Sequence, residues 1–193
     1  MASPPVSPAS SGSPPGSPPL RIAYLHADIL SAPPRSVIAH ACNCYGSWGG
    51  GVAALFKRRF PAAYTAYANH CRAAAADPSS LLGTCFLIHN KATDPGGDYW
   101  IACLFTALFP GTPASDGSGS VEESILKETR AAIKDLLRQL HTHEYISTLL
   151  PGDEYVPVVH MPQINAGIFN VPWPLTEAVL KSFPYRFNVY VYP

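Results

Sequence analysis

The apolar residues of this chain are grouped in short runs that turn-forming residues separate. Two runs, "TCFLIHN" and "YWIACLFT", are continuous rather than alternating, which is typical of inner strands covered on both faces. "SVIAHAC" predicts a short buried strand, and "RIAYLH", "YVPVVHM" and "FNVYVY" also have strand composition. The pattern therefore predicts about six strands.

Helical patterns alternate with these runs. Residues 51–59 and the run "AAYTAYANHCRAAAA" after Pro61 have helical composition. Ser120 and Glu123 form a capping-box pattern that predicts the start of a long helix ending near His143, and a short helix is predicted from Pro174. Because strands and helices intermix, the expected class is α/β, with a sheet between layers of helices.

Composition divides the chain into a tail and one domain. Residues 1–19 contain only Met, Ala, Ser, Pro, Val and Gly, which offer too little apolar surface to fold, so this segment is predicted to be disordered. Residues 20–193 fit a single domain, since 47% of the 193 residues are hydrophobic and only 13% are charged. Lys+Arg and Asp+Glu are 13 each, and the resulting net charge of zero argues against binding to long nucleic acids.

The cysteines and the apolar runs limit the compartment and the cofactors. Five cysteines are an odd number, and no secretory signal precedes them, so we expect buried, reduced thiols in the cytoplasm or nucleus. Cys42-x-Cys44 lacks a second ligand pair at zinc-like spacing, so neither a metal site nor another cofactor is predicted. No apolar run approaches the ~20 residues of a membrane span, and no membrane partner is expected.

Two loops rich in small residues carry the candidate chemistry. Gly49–Gly51 lead from a strand into a helix, where unobstructed N–H groups at the helix N-terminus favour an anion, although a glycine-rich packing turn explains the same pattern. "INAGIFNVPW" again follows a strand and precedes a helix. Ligands of open α/β sheets bind beyond the carboxyl ends of the strands, so the two loops together predict a ligand with two phosphates.

The segments "HACNCYGSWGGGVA", "CLFT" and "MPQINAGIFNVPW" resemble the macro domain, in particular its fungal ADP-ribose 1''-phosphate phosphatase branch. The resemblance covers residues 21–192. It implies a three-layer α/β/α sandwich with a mixed sheet of about six strands, and a cleft for ADP-ribose with one glycine-rich loop on each side of the diphosphate.

The resemblance also assigns site residues. Asp28 would accept a hydrogen bond from the adenine amino group, although without the family a turn or cap role is preferred for it. Asn43 would hold the distal ribose. The full set of expected substrate-binding residues is Ala27, Asp28, Ile29, Ala41, Cys42, Asn43, Trp48, Gly49, Gly50, Gly51, Val52, Ala53, Ile164, Asn165, Ala166, Gly167, Ile168, Phe169 and Asn170.

Three positions depart from the usual family pattern: Ala27 stands where glycine is usual, Ala166 where serine is usual and Asn170 where glycine is usual. Asn170 suits that place because asparagine adopts left-handed backbone conformations more readily than most residues. In the loop after "CLFT", Thr112, Ser115 and Ser118 are hydroxyl candidates next to a terminal phosphate, and a surface linker is an equal alternative.

The resemblance makes His40 the predicted catalytic residue, although without it a lone histidine at a strand end is more often a structural residue. It stands where many ADP-ribosyl hydrolases have asparagine and where the phosphatase branch has histidine, and an imidazole can move a proton near neutral pH. The implied reaction releases phosphate from ADP-ribose 1''-phosphate, a by-product of tRNA splicing, in a monomeric enzyme. The alternatives are an ADP-ribosyl hydrolase or O-acetyl-ADP-ribose deacetylase, and a non-catalytic domain that binds ADP-ribosylated proteins.

Overall fold

The computed structural model describes residues 22–110, 119–142 and 158–192. Its strands are β1 (Ile22–His26), β2 (Val37–Asn43), β3 (Cys85–Asn90), β4 (Tyr99–Ala107), β5 (Val159–Pro162) and β6 (Phe187–Val191). Its helices are α1 (Gly51–Arg59), α2 (Pro61–Ala73), α3 (Val121–Thr142) and α4 (Trp173–Lys181), with short 3-10 helices at Ile29–Ser31 and Pro78–Leu81. The predicted elements within these ranges are confirmed.

Local sequence explains where the helices start. Pro61 begins α2 and disfavours helical geometry at the preceding Phe60, which separates α1 from α2. At α3 the predicted capping box is formed, because the Glu123 N–H donates to Ser120 Oγ (3.1 Å) and the Ser120 N–H donates to a Glu123 carboxylate oxygen (3.0 Å). The predicted tail and the hydroxyls Thr112, Ser115 and Ser118 lie outside the described residues.

The strands form one mixed sheet in the order β1-β6-β5-β2-β4-β3. Every neighbouring pair is parallel except β3–β4, which is antiparallel. The carboxyl ends of β1, β2, β4, β5 and β6 therefore meet at one edge of the sheet, and the loops that leave them are neighbours.

Helices cover both faces of the sheet, which makes the three-layer α/β/α sandwich. One core joins α3 and α4 to the sheet through Ile133, Leu136 and Leu180, and the other joins α1 and α2 through Phe56 and Tyr67. The prediction that "TCFLIHN" is an inner strand is wrong: β3 lies at the sheet edge. Its run is nevertheless apolar because one of its side chains, Cys85, joins the first core and another, Ile88, joins the second.

All five cysteines are buried free thiols, as expected. Within the described part of the chain, no helix is long and apolar enough to cross a membrane.

Candidate functional site

Two adjoining cavities lie at the carboxyl edge of the parallel strands. The first, of about 380 Å³, lies between loop 1 (residues 44–50, after β2) and loop 2 (residues 163–172, after β5). The second, of about 430 Å³, lies beside the loop after β1 and the end of β6. Both are lined by Gly51, Val52, Pro162 and Gln163, so together they form one elongated cleft.

The topology explains why the cleft opens here. β2 and β5 are neighbours in the sheet, yet the helices that follow them pack on opposite faces, α1 on one and α4 on the other. The chain therefore separates between these two strands and leaves a crevice, which is where open α/β sheets bind their ligands.

Asn43, the last residue of β2, folds loop 1. Its side-chain oxygen accepts a hydrogen bond from the Tyr45 N–H (2.9 Å), and its side-chain nitrogen donates to the Ser47 carbonyl (2.6 Å). The Tyr67 hydroxyl donates to the Asn43 carbonyl at 2.7 Å. An amide nitrogen carries two hydrogens, so the second is left for a ligand in the first cavity, which Asn43 lines.

Trp48 anchors loop 1 in the core. Its side chain is only 1% exposed and stacks on Tyr67 with ring centroids 5.0 Å apart. The Trp48 ring also packs edge-on against the ring of His40, with 4.7 Å between the ring centroids. Loop 1 is thus held against the sheet by aromatic packing, and the glycines that follow Trp48 line the cavity.

The glycines let loop 1 approach loop 2 closely. A Cβ atom on Gly50 would lie 2.7 Å from Cδ1 of Ile168 in loop 2, so the two loops touch across the cavity. Gly51 has φ +54°, a left-handed conformation that favours glycine. The two loops, which are far apart in sequence, therefore face each other across one cavity, and their binding to one ligand stays a prediction.

Helix α1 presents an uncapped N-terminus to the cavity. Its N-cap residue is Gly50, which makes no side-chain hydrogen bond to the helix, and Gly51, Val52 and Ala53 line the cavity. The N–H groups of a first helical turn have no acceptor within the helix. Among the described residues that line the first cavity, none is Asp, Glu, Lys, Arg or His. Backbone N–H groups and the helix dipole are therefore the positive features available to an anion.

Loop 2 is fixed by the side chain of Asn165. Its oxygen accepts a hydrogen bond from the Thr106 hydroxyl (3.0 Å), and its nitrogen donates to the hydroxyls of Thr129 (2.9 Å) and Thr176 (3.4 Å). The three threonines come from β4, α3 and α4, so one buried asparagine ties loop 2 to three elements. The register of β2 and β4 shifts between Cys42 and Asn43, next to Thr106.

Asp28 and its neighbours lie in the second cavity. Ala27, Asp28 and Ile29 line it, together with Tyr190 and Tyr192 from the end of the chain. One carboxylate oxygen of Asp28 accepts the Leu30 N–H at 2.9 Å and caps the short helix Ile29–Ser31. The cap role considered for Asp28 is therefore present, and the second carboxylate oxygen is left for a ligand in the cavity.

Comparisons with known proteins show the family to which this chain belongs. The profile of the macro domain matches residues 39–180. This chain belongs to the macro domain family. The ADP-ribose 1''-phosphate phosphatase of Scheffersomyces stipitis is 43% identical over 180 residues, which cover 88% of this chain and 99% of that protein.

Solved structures of macro domains have the same fold. The macrodomain of Mycobacterium tuberculosis DarG superposes with a TM-score of 0.61 at 22% identity and covers 88% of this chain and 96% of its own. Thermosipho africanus DarTG in complex with ADP-ribose gives a TM-score of 0.59 at 13% identity, covering 89% of this chain and 41% of that one. At such identities these two comparisons describe the fold alone.

Most of the predicted binding residues lie in the cleft of this macro domain. Besides the three in the second cavity, the residues that line the first cavity are Ala41, Cys42, Asn43, Trp48, Gly49, Gly50, Gly51, Val52, Ala53, Ile164, Asn165, Gly167, Ile168 and Phe169. Ala166 and Asn170 are exposed and do not line either cavity. Asn170 has φ +55°, so asparagine stands at a left-handed position where glycine is usual.

His40 lies behind the cleft instead of in it. Its side chain is fully buried, contacts the rings of Trp48 (4.7 Å) and Phe56 (4.9 Å), and lines neither cavity. Successive strand residues point to opposite faces, and His40 shares with Cys42 the face that packs on α1. The imidazole is therefore separated from the cleft in this structure, and the predicted proton transfer stays a prediction.

The Cys42 thiol lies next to this imidazole, with 3.4 Å between Sγ and His40 Nε2. Burial raises the pKa of this thiol, but the neighbouring Cys103 thiol and the His40 ring outweigh that effect and lower the pKa to about 6. The opposite holds for Cys103, whose pKa is raised by burial and by Cys42. One member of the thiol pair thus ionises more readily than the other.

Sequence reasoning missed several lining residues. In the first cavity they are Ser47, Phe109, Pro110, Pro162 and Gln163, and in the second Leu55, Tyr190, Val191 and Tyr192. Phe109 is 49% exposed and its ring meets that of Tyr45 edge-on at 6.1 Å, so an aromatic residue in a polar loop was the available signal. Tyr190 to Tyr192 carried no local signal, because only the sheet order brings the end of β6 beside β1.

Proposed function

We propose that this macro domain hydrolyses ADP-ribose 1''-phosphate to ADP-ribose and inorganic phosphate. The observation that carries the proposal is that two loops meet across a cavity bordered by backbone N–H groups. This cavity continues into a second cavity, which Asp28 lines. The name and near-complete coverage of the Scheffersomyces stipitis relative support the choice of reaction. The substrate would be the by-product of tRNA splicing that the family resemblance implies.

The substrate would lie in the cleft in one orientation. The adenine would occupy the second cavity, where the free oxygen of Asp28 accepts its amino group. The diphosphate would lie at the residues common to both cavities, against the first turn of α1. The distal ribose would then reach the side-chain nitrogen of Asn43 in the first cavity.

The reaction requires water to attack phosphorus while the bond from phosphorus to the oxygen on C1'' breaks. The water supplies the oxygen that leaves with inorganic phosphate, and its protons end on the products. Phosphoryl transfer depends mainly on positioning and on stabilising charge that develops on the phosphoryl oxygens, and fixed N–H groups in an apolar cavity provide both. His40 would contribute by supporting Trp48 and Cys42 from behind.

The decisive experiment measures phosphate release from ADP-ribose 1''-phosphate by the purified chain. Asp28→Asn should raise KM about 10- to 100-fold, since a hydrogen bond to a charged group contributes roughly 1.5–3 kcal/mol. The matched control is Asp94→Asn, because Asp94 also accepts a local N–H, that of Lys91, but lies in the β3–β4 turn and lines neither cavity. Equal kinetics for the two variants would contradict the assigned orientation.

Binding measurements test the two-loop arrangement separately. ADP-ribose should bind clearly more tightly than AMP, because AMP has no diphosphate to span the two cavities. Equal affinities would contradict a shared diphosphate site.

A binding function without turnover has one observation in its favour, namely that no described residue lining the first cavity carries a charged side chain. In that case the domain would bind ADP-ribose attached to a protein. Tight ADP-ribose binding without phosphate release would favour this alternative, and release of ADP-ribose from a modified protein would favour a hydrolase.

A further inference from the structure

Three metal-ligating side chains meet beneath loop 1. They are His40 and Cys42 on β2 and Cys103 on β4, and their donor atoms all lie within 4.8 Å of one another. His40 is paired with Cys103 in the strand register, and Cys42 is two residues further along β2 on the same face. The cluster therefore arises from strand pairing, which spacing along the chain does not show.

We propose that His40, Cys42 and Cys103 form a binding site for Zn²⁺. Two cysteines and one histidine are a ligand set that zinc proteins use, with the fourth tetrahedral position taken by water. The donors are soft sulfur and imidazole with no carboxylate among them, which disfavours Mg²⁺ and Ca²⁺.

Charge balance selects zinc over a monovalent soft ion. The three side chains are at most 2% exposed, and aromatic rings of Trp48 and Phe56 surround His40. Zn²⁺ with two thiolates and a neutral imidazole is neutral overall, whereas Cu⁺ with the same ligands carries a net negative charge that an apolar interior disfavours. Zn²⁺ binds both sulfurs as thiolates, so any proton that the two thiols still carry leaves to solvent on binding.

Two further features fit the site. Cys42 lines the first cavity, which gives the ion and a water ligand a way in from solvent. The buried indole N–H of Trp48 has no hydrogen-bond partner among the described residues and lies next to the Cys42 thiol. A zinc-bound thiolate at Cys42 would be a stronger acceptor for that N–H than the free thiol.

The test uses the full chain, freed of metal under reducing conditions and titrated with Zn²⁺ against a chromophoric chelator. We expect one ion per chain, and Co²⁺ in its place should give sulfur-to-cobalt charge-transfer absorption with the strong visible bands of tetrahedral geometry. Cys103→Ala should weaken Zn²⁺ affinity by at least about 100-fold, more than the loss of a supporting residue outside the ligand set.

Cys85→Ala is the matched control, because Cys85 is also a buried strand thiol but belongs to the core on the other face of the sheet. Zn²⁺ should raise the thermal midpoint of the wild type and of Cys85→Ala, but not that of Cys103→Ala. If Cys103→Ala does not fold, the cobalt spectrum of the wild type decides. Absence of charge-transfer absorption, or equal losses in the two variants, would overturn the site. Neither result depends on the phosphatase proposal.

Discussion

Loop 1 and loop 2 face each other across one cavity and both contain small residues, but different interactions hold them in place. Loop 1 rests on the buried ring of Trp48, which stacks on Tyr67 and meets His40. Loop 2 rests on the buried amide of Asn165, which joins three threonine hydroxyls. Aromatic packing loses its stabilisation gradually as contacts are removed, whereas a buried polar network leaves unpaired groups when one member is lost.

The two loops also use left-handed backbone differently. In loop 1 the positive φ falls on Gly46, and at the start of α1 it falls on Gly51, so both left-handed positions are glycines without a side chain. In loop 2 it falls on Asn165 and Asn170. Glycine backbone of loop 1 therefore lines the cavity, while loop 2 uses one side chain to fix its own shape.

The largest expected effect concerns the support of loop 2. Asn165→Ala leaves buried threonine hydroxyls without their partner and places alanine at a left-handed position, so the free energy of unfolding should fall by about 3 kcal/mol in urea titrations. Asn170→Ala is the control, since it carries the same backbone cost at an exposed position and should lose only about 1 kcal/mol. Equal losses would mean that the threonine network contributes nothing.

Next in size is the effect of a side chain at the start of α1. Gly51→Val introduces a β-branched residue at φ +54° on the cavity wall, so ADP-ribose affinity measured by calorimetry should fall about 30- to 100-fold. In Gly49→Ala the new Cβ would lie 3.3 Å from Ser47 Oγ, and no other described atom outside its two chain neighbours comes within 4 Å. Affinity for ADP-ribose should therefore fall less than about fivefold. Similar losses would show that the backbone of α1 is not the anion site.

A smaller effect is expected from His40→Ala, which removes a ring that packs behind loop 1. Stability should fall by about 2 kcal/mol and affinity should fall with it, with turnover reduced only in proportion. A proton-transfer role predicts the reverse, a loss of about 10²–10⁴-fold in turnover with affinity retained. Parallel urea titrations, calorimetry and phosphate-release assays distinguish the two.

The smallest expected effect is a pH dependence of stability that comes from His160. This buried histidine belongs to β5, which leads into loop 2. Its Nδ1 lies 3.0 Å from the Tyr190 hydroxyl, and burial lowers the pKa of its imidazole. The unfolded chain then binds the proton more readily, so stability is retained above the unfolded pKa of about 6.5 and is lost as pH falls below it. Unfolding of His160→Gln should show a weaker loss between about pH 7 and pH 5; an unchanged slope would assign the effect to other groups.

Local signals carried much of the fold and the site. Apolar runs located the described strands, Pro61 and the Ser120–Glu123 capping box located the starts of α2 and α3, and "SWGGG" and "INAGIF" located both loops. These features depend on backbone preferences and on interactions within a few residues, which is why they can be recognised in the sequence.

Other features depended on partners far away in sequence. β3 has the apolar run of an inner strand, but the topology puts it at the edge. Asn165 lines the first cavity, but the partners that fix its side chain, Thr106, Thr129 and Thr176, could not be recognised from the sequence. Tyr190 and Tyr192 joined the cleft only because β6 lies between β1 and β5.

By itself the sequence determined the elements, the two loops and the macro domain resemblance, because periodicity and turn chemistry act over short stretches of chain. The tertiary structure decided which face of β2 carries His40, and that Cys103 lies beside Cys42. Both depend on strand order and register, which are set by the packing of the whole sheet and not by any one strand.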